Sequence, residues 1–159
     1  MAVGQLFKMF FLKNFLSKIY YNKYSKKSYA LSNVDLIINR IFKNINKGFY
    51  IDVGCNNPIK YNNTYLLHKR GWRGINIDAN DSCIKLFNQF RKNDYNVRSI
   101  ISDKEEIKEL YFYHDKSAIN TLNKKIVDYR KDKPKKIIKE KYTTLNKIIE
   151  YSPLKMNKF

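Results

Sequence analysis

The residues of this chain whose types and spacing could do chemistry are two aspartates and a glycine. FYIDVG, residues 49–54, and GINID, residues 74–78, are short apolar runs that each carry an acidic residue at or near their end, Asp52 and Asp78, and Gly54 follows the first. A carboxylate at a strand end can accept hydrogen bonds from neighbouring hydroxyls, and a glycine beside it lets the backbone approach a ligand closely. Gly54 and Asp78 are separated by 24 residues. In nucleotide-binding βαβ units the acidic residue that holds the ribose lies about 20 residues beyond the glycine loop.

The elements that must position these residues follow from periodicity. Phe7, Phe10, Phe11, Phe15 and Ile19 recur at helical spacing, so residues 1–24 read as a basic amphipathic helix, ended by the polar SKKS at 25–28. A second helix is expected at 34–44, with Val34, Ile37, Ile38, Ile41 and Phe42 on one face. FYIDVG reads as a buried strand, TYLLHKR as a short helix that Gly71 ends with positive φ, and GINID as a second strand. Asp81 or Ser82 caps a third helix whose Ile84, Phe87 and Phe90 face inward, and NVRSII at 96–101 is a third strand. Strand, helix, strand, helix, strand is half of a doubly wound parallel sheet. Beyond it, ELYFYHD at 109–115 is β-rich, DKPKKIIKEK is an exposed connection leading into a strand, and TTLNKIIEY is a final helix.

In such a sheet ligands sit outside the carboxyl ends of the strands, where Asp52 and Asp78 fall. The loop GCNNP lacks the further glycines that bring a pyrophosphate onto a helix N-terminus, which argues against NAD and FAD. A nucleoside cofactor without phosphates needs only one close approach, and S-adenosylmethionine is such a cofactor. The plainer reading is that an aspartate at a strand end caps a turn. Two at this separation within a βαβ pattern favour the cofactor.

The chain has 159 residues, 43% of them hydrophobic, enough for one domain with a core. Its formal charge of +18 divides into +8 over residues 1–47, +3 over 48–103 and +7 over 104–159. Such an excess with 15% aromatics is compatible with a polyanion or an anionic membrane surface. The joint over-use of Lys, Asn, Ile and Tyr is more simply compositional bias on solvated faces, which ranks nucleic acid low among partners. No apolar run approaches the about 20 residues of a membrane span. The N-terminal amphipathic face would pack on its own domain, with a membrane surface or a partner as the alternative. Cys55 and Cys83 form no CxxC, CxxH or disulfide framework, so no metal site is read and a reducing cytoplasm fits.

FYIDVGCNNPIKYNNTYLLHKRGWRGINIDAN resembles the FkbM family of S-adenosylmethionine-dependent methyltransferases, whose members read YIDVG, a small residue, two polar residues, Pro, then SNTY, a helix and GWRGINIDA. YALSNVDLIINRIF at 29–42 is similar to the family's upstream S-Q-x-G-E-D helix, keeping Ser32 and Asp35. SIISDK at 99–104 and AINTL at 118–122 extend the resemblance, which spans residues 29–150.

The resemblance implies a Rossmann-like doubly wound sheet, here its first half with an extra β-rich segment. The domain would occupy residues 29–159, preceded by the helix of residues 1–28. It implies methyl transfer to a hydroxyl of a glycan or small metabolite. Asp52 and Gly54, with Asn56 beside them, would hold the methionine end of the cofactor, Asp78 the ribose, and Ser102 and Asp103 would border the adenine. Cys55 occupies a small-residue position and reads as packing. His68 and His114 read as structural or solvated, so no catalytic base is assigned. In the family a fourth strand ending in D-x-E-G follows the helix matched by TTLNKII. A chain ending at Phe159 without it also reads as a shortened, non-catalytic relative, with strand one left as an exposed edge. A basic module that binds nucleic acid or anionic membrane is the third reading.

Overall fold

The computed structural model describes residues 27–113, 121 and 123–154. The expected helix of residues 1–24 and His114 lie outside them. Helix α1 (Val34–Ile41) precedes strand β1 (Phe49–Val53), after which α2 (Tyr65–Lys69), β2 (Arg73–Asp78), α3 (Asp81–Phe90) and β3 (Tyr95–Arg98) alternate. The three strands form a parallel sheet in the order β1, β2, β3, with Asp52 opposite Asn76 and Asp78 opposite Arg98. Among the described residues β1 pairs with β2 alone, and Val53 near its end is 52% exposed.

The third expected strand is divided. Residues 95–98 pair with β2, the Ser99 N–H donates to the Asp78 carbonyl (3.0 Å), and β4 (Ile100–Ile101) then pairs in parallel with β6 (Lys136–Thr143). One extended stretch thus serves two ladders. The second ladder is completed by β5 (Glu106–Phe112), antiparallel to β6. Helix α4 (Lys124–Tyr129), which the periodicity did not anticipate, connects β5 to β6, and α5 (Leu145–Glu150) follows β6. The result is a mixed α/β fold with a parallel three-stranded sheet and a second, mixed sheet.

Side chains alternate across a strand, so the parallel sheet has two different faces. Ile75 and Ile77, with Phe49, Ile51, Tyr95 and Val97, make an apolar face onto which Leu145, Ile148 and Ile149 of α5 pack. Fully burying an isoleucine side chain is worth about 1.5–3 kcal/mol, so Ile75 and Ile77 anchor this layer. The other face carries Tyr50 and Asp52 of β1, Asn76 and Asp78 of β2 and Asn96 of β3. It is covered from α2, where Leu67 packs with Tyr50 and Trp72, and from α3, whose Ile84 and Phe87 enclose Cys55.

Local signals explain most boundaries. Gly71 has φ +91° and ends α2 as expected. The cap of α3 is neither Asp81 nor Ser82 but Asn80, whose side chain accepts the Ser82 N–H (3.0 Å); an Asn in extended conformation serves that role equally well. Thr144 caps α5 by accepting the Lys147 N–H (3.3 Å). The C-terminal end of α1 is held by Arg70, whose guanidinium donates to the carbonyls of Phe42 (2.8 Å) and Ile45 (2.6 Å). On the apolar face expected of α1, Ile38 packs against Tyr50, Leu67 and Trp72 while Val34, Ile37 and Ile41 are exposed, and the buried residue of the helix is Asp35, which accepts from the Ser28 hydroxyl (2.6 Å) and the Tyr29 N–H (2.7 Å). Phe90 is likewise 57% exposed rather than inward-facing, because it closes the last turn of α3.

Gly74 is required by packing. A Cβ there would lie 2.3 Å from both the ring and the carbonyl oxygen of Tyr50, which lies across it. Gly74→Ala is expected to cost about 2–3 kcal/mol in urea unfolding, as overpacking of a closed site does. Gly71→Ala, strained in φ but facing open space, should cost about 1 kcal/mol. Equal losses would show that Tyr50 moves aside freely.

Candidate functional site

Asp52, Gly54, Asn56 and Asp78 meet at the carboxyl edge of β1 and β2. The Gly54 and Cys55 N–H groups both donate to the Ile77 carbonyl (2.8 and 3.1 Å), which continues the strand pairing into the loop. Gly54 has φ +74°, and a Cβ placed on it would have nothing within 4 Å, so the chain turns sharply beside open space. Asn56, also left-handed at φ +54°, directs its N–H to Asp78 Oδ2 (2.9 Å), while Asp78 Oδ1 accepts the Asn80 N–H (2.8 Å). Asp78 therefore ties the loop after β1 to the loop after β2. Each of its oxygens keeps one lone pair for a further donor. Asp52 Oδ2 accepts from Asn62 Nδ2 (3.1 Å) and the Thr64 hydroxyl (2.8 Å), and among the described residues Oδ1 is not used.

The loop that carries Asn62 and Thr64 is itself held by Arg91, a residue that sequence reasoning did not single out. Arg91 is 1% exposed. Its Nε and Nη2 donate to the Pro58 carbonyl (3.1 and 2.6 Å), Nη2 to Asn62 Oδ1 (2.7 Å), and Nη1 to the Thr64 hydroxyl oxygen (2.8 Å) and Tyr50 Oη (3.2 Å). The Tyr50 hydroxyl donates in turn to Asp94 Oδ2, which also accepts from Asn76 Nδ2 (3.1 Å) and lies 3.4 Å from His68 Nδ1. Burial pushes the Asp94 carboxyl up, but hydrogen bonds from His68, Tyr50 and Asn76 outweigh it and hold the group below its ordinary 3.8. Burial pushes the Tyr50 phenol far up despite the Arg91 charge beside it. Arg91 and Asp94 are thus a separated ion pair joined through Tyr50, with Arg91 also reaching Asp52 through Thr64.

The remaining sequence candidates make other contacts. The Ser102 N–H donates to the Thr143 carbonyl (2.9 Å) and its hydroxyl to Asp103 Oδ1 (3.0 Å), so these two residues belong to the β4–β6 ladder. Among the described residues, none of the hydrogen bonds of Ser102 and Asp103 runs to the Asp52 and Asp78 group. Cys55 is buried against Ile84 and Phe87; burial first, then the charges of Asp78 and Asp52, push its thiol far up, which leaves a packing residue and no nucleophile. Burial and Asp78 push the Cys83 thiol up to about 11. His68 lines a cleft at the opposite end of β2, beside Arg73. Among the described residues no acidic, cysteine or histidine cluster could hold a metal ion, and no helix is long and apolar enough to cross a membrane.

A signal for the missed residues does exist in the sequence. Tyr50 and Asp52 alternate with Ile51 and Val53, as Asn76 and Asp78 alternate with Ile75 and Ile77. Period-two polarity in strands covered on both sides marks a buried polar layer, which needs partners from the covering helices. Comparison with known proteins returned nothing: no family model, no curated protein and no solved structure matches the chain.

Removing the Arg91 charge leaves Asp94 buried without its counter-ion, a change that typically costs about 3–5 kcal/mol. Arg91→Met should therefore lower stability by that order in chemical denaturation, and Arg91→Lys by nearly as much because one ammonium cannot span the oxygens of Pro58, Asn62 and Thr64. Asp94 supplies a pH signature. Its folded value is depressed, so its contribution is complete above the ordinary 3.8 and is lost as pH falls through the lower folded value. Asp94→Asn should flatten the acid side of the stability profile in that window, and an unchanged slope would place the acid sensitivity elsewhere.

Proposed function

We propose that this chain is a methyltransferase of the FkbM type that binds S-adenosylmethionine at the carboxyl edge of β1 and β2 and methylates a hydroxyl of a glycan or small metabolite. The carrying observation is the pairing of Gly54, left-handed and facing open space, with Asp78, whose carboxylate is fixed by the backbone of both flanking loops. A single close approach beside an oriented carboxylate suits a ribose without phosphates. Asp78 would hold the ribose hydroxyls. Asp52 and Gly54 would hold the amino-acid end, with Asn56 at their side, and Ser102 and Asp103, beyond β4, would border the adenine. In this reading the sheet is the first half of a Rossmann-like, doubly wound arrangement.

The residues fit the group. Two carboxylates at one edge favour a cationic ligand, and Asp52 Oδ1 stands ready for an ammonium donor. The cofactor supplies an electrophilic methyl group on its sulfonium. The chain's own task is to position that group and the acceptor, which is where most of the rate of a displacement between two bound partners originates.

Calorimetric titration tests the reading. S-adenosylmethionine and its demethylated product should bind the folded chain with one site. Asp78→Asn, which can still accept one of the two loop N–H groups, should weaken binding at least about tenfold, or about 1.4 kcal/mol, with Asp52→Asn behaving similarly. Failure of the folded protein to bind either ligand, or affinity indifferent to Asp78, would overturn it.

A further inference from the structure

A second concave site lies away from the Asp52 and Asp78 edge. It is an open cleft of about 380 Å³ lined by Ile59, Tyr65, His68, Lys69, Gly71, Arg73 and Phe90. That volume is within the range of small-molecule sites. Arg73 begins β2 and Asp78 ends it; five residues of strand, about 17 Å at 3.3 Å each, separate the two sites. The cleft therefore cannot be the part of the carboxyl edge that receives an acceptor.

Its lining combines two kinds of group. Three basic residues of the lining, His68, Lys69 and Arg73, are near one another in the chain. His68 is oriented from behind: its Nδ1–H faces Asp94 Oδ2, whose side chain is fully buried, which leaves Nε2 of the neutral ring as an acceptor. Arg73 spends Nη1 on the Trp72 carbonyl (2.8 Å) and retains its other donors. The flat wall is Phe90, which remains 57% exposed at the end of a helix that otherwise buries its aromatic residue, whereas the Tyr65 ring already lies against the His68 imidazole (17° from parallel) and the Arg91 guanidinium (5.6 Å). The absent side chain of Gly71 keeps the floor open. Cationic donors beside an exposed aromatic face are the composition that takes an anion attached to a flat ring.

We propose that this cleft is a binding site for an aryl phosphate, with Lys69 and Arg73 on the phosphate and Phe90 on the ring. The site uses none of the residues assigned to the cofactor, and it stands or falls independently of that reading.

Phenyl phosphate is the probe. Titrated into the ¹⁵N-labelled chain at physiological ionic strength, it should shift amide signals of Ile59, Tyr65, His68 and Phe90 saturably. Inorganic phosphate and phenol should each bind at least tenfold more weakly. Arg73→Gln and Phe90→Ala, both at the cleft surface, should each weaken phenyl phosphate at least fivefold with the thermal transition unchanged. Asp78→Asn should have no effect. Equal binding of inorganic phosphate, shifts spread over the basic surface, or affinity indifferent to Arg73 and Phe90 would each overturn the proposal, since a protein of this charge attracts any anion weakly.

Discussion

The interaction on which the rest of the structure depends is the burial of the Arg91 guanidinium among oxygens that are mostly uncharged. An ion taken out of water is costly unless every donor finds an acceptor. Here the carbonyl of Pro58, the side chains of Asn62 and Thr64 and the Tyr50 hydroxyl provide them. The compensating charges, Asp94 and Asp52, are each one hydroxyl away. This arrangement fixes the long irregular loop after β1 to the end of α3, although that loop has no regular structure of its own between Gly54 and Thr64.

The sheet separates two tasks. Its apolar face, closed by α5, provides hydrophobic stabilisation. Its polar face carries the oriented groups: the layer of Tyr50, Asn76, Asp94 and Arg91 at mid-sheet, the carboxylates of Asp52 and Asp78 at the carboxyl edge, and His68 at the other end. The carboxyl edge is thus supported from beneath by side chains whose own positions are over-determined, which is how precise placement is achieved.

Much of this was legible from the residues. The three parallel strands, the αL glycine at 71 and the convergence of Asp52 and Asp78 follow from local periodicity and turn chemistry, because those act within a few residues. Three features were not legible. Arg91 meets Pro58 across 33 residues, and nothing in the local pattern of a helix end announces which loop it will reach. The apolar residues of α1 share a face by periodicity, with Ile38 against the core, but the burial of Asp35, which accepts from Ser28 and Tyr29, could not be read from that pattern. The division of the third strand at Ser99 depends on β6, more than 35 residues downstream, and a continuous apolar run cannot reveal a change of partner.

The two-faced sheet also has a meaning for how the chain finds its fold. Sliding any one strand by a single residue exchanges its faces. For β2 that would drive Asn76 and Asp78 under α5 and turn Ile75 and Ile77 toward the guanidinium of Arg91. Such a slip strands charges in oil and leaves a cation without acceptors, so misregistered pairings are excluded from both sides of the sheet at once. In a purely apolar sheet they would be penalised only by imperfect packing. The polar layer thus acts as a reading frame for strand assembly, and the carboxyl edge inherits its alignment from the register that layer sets.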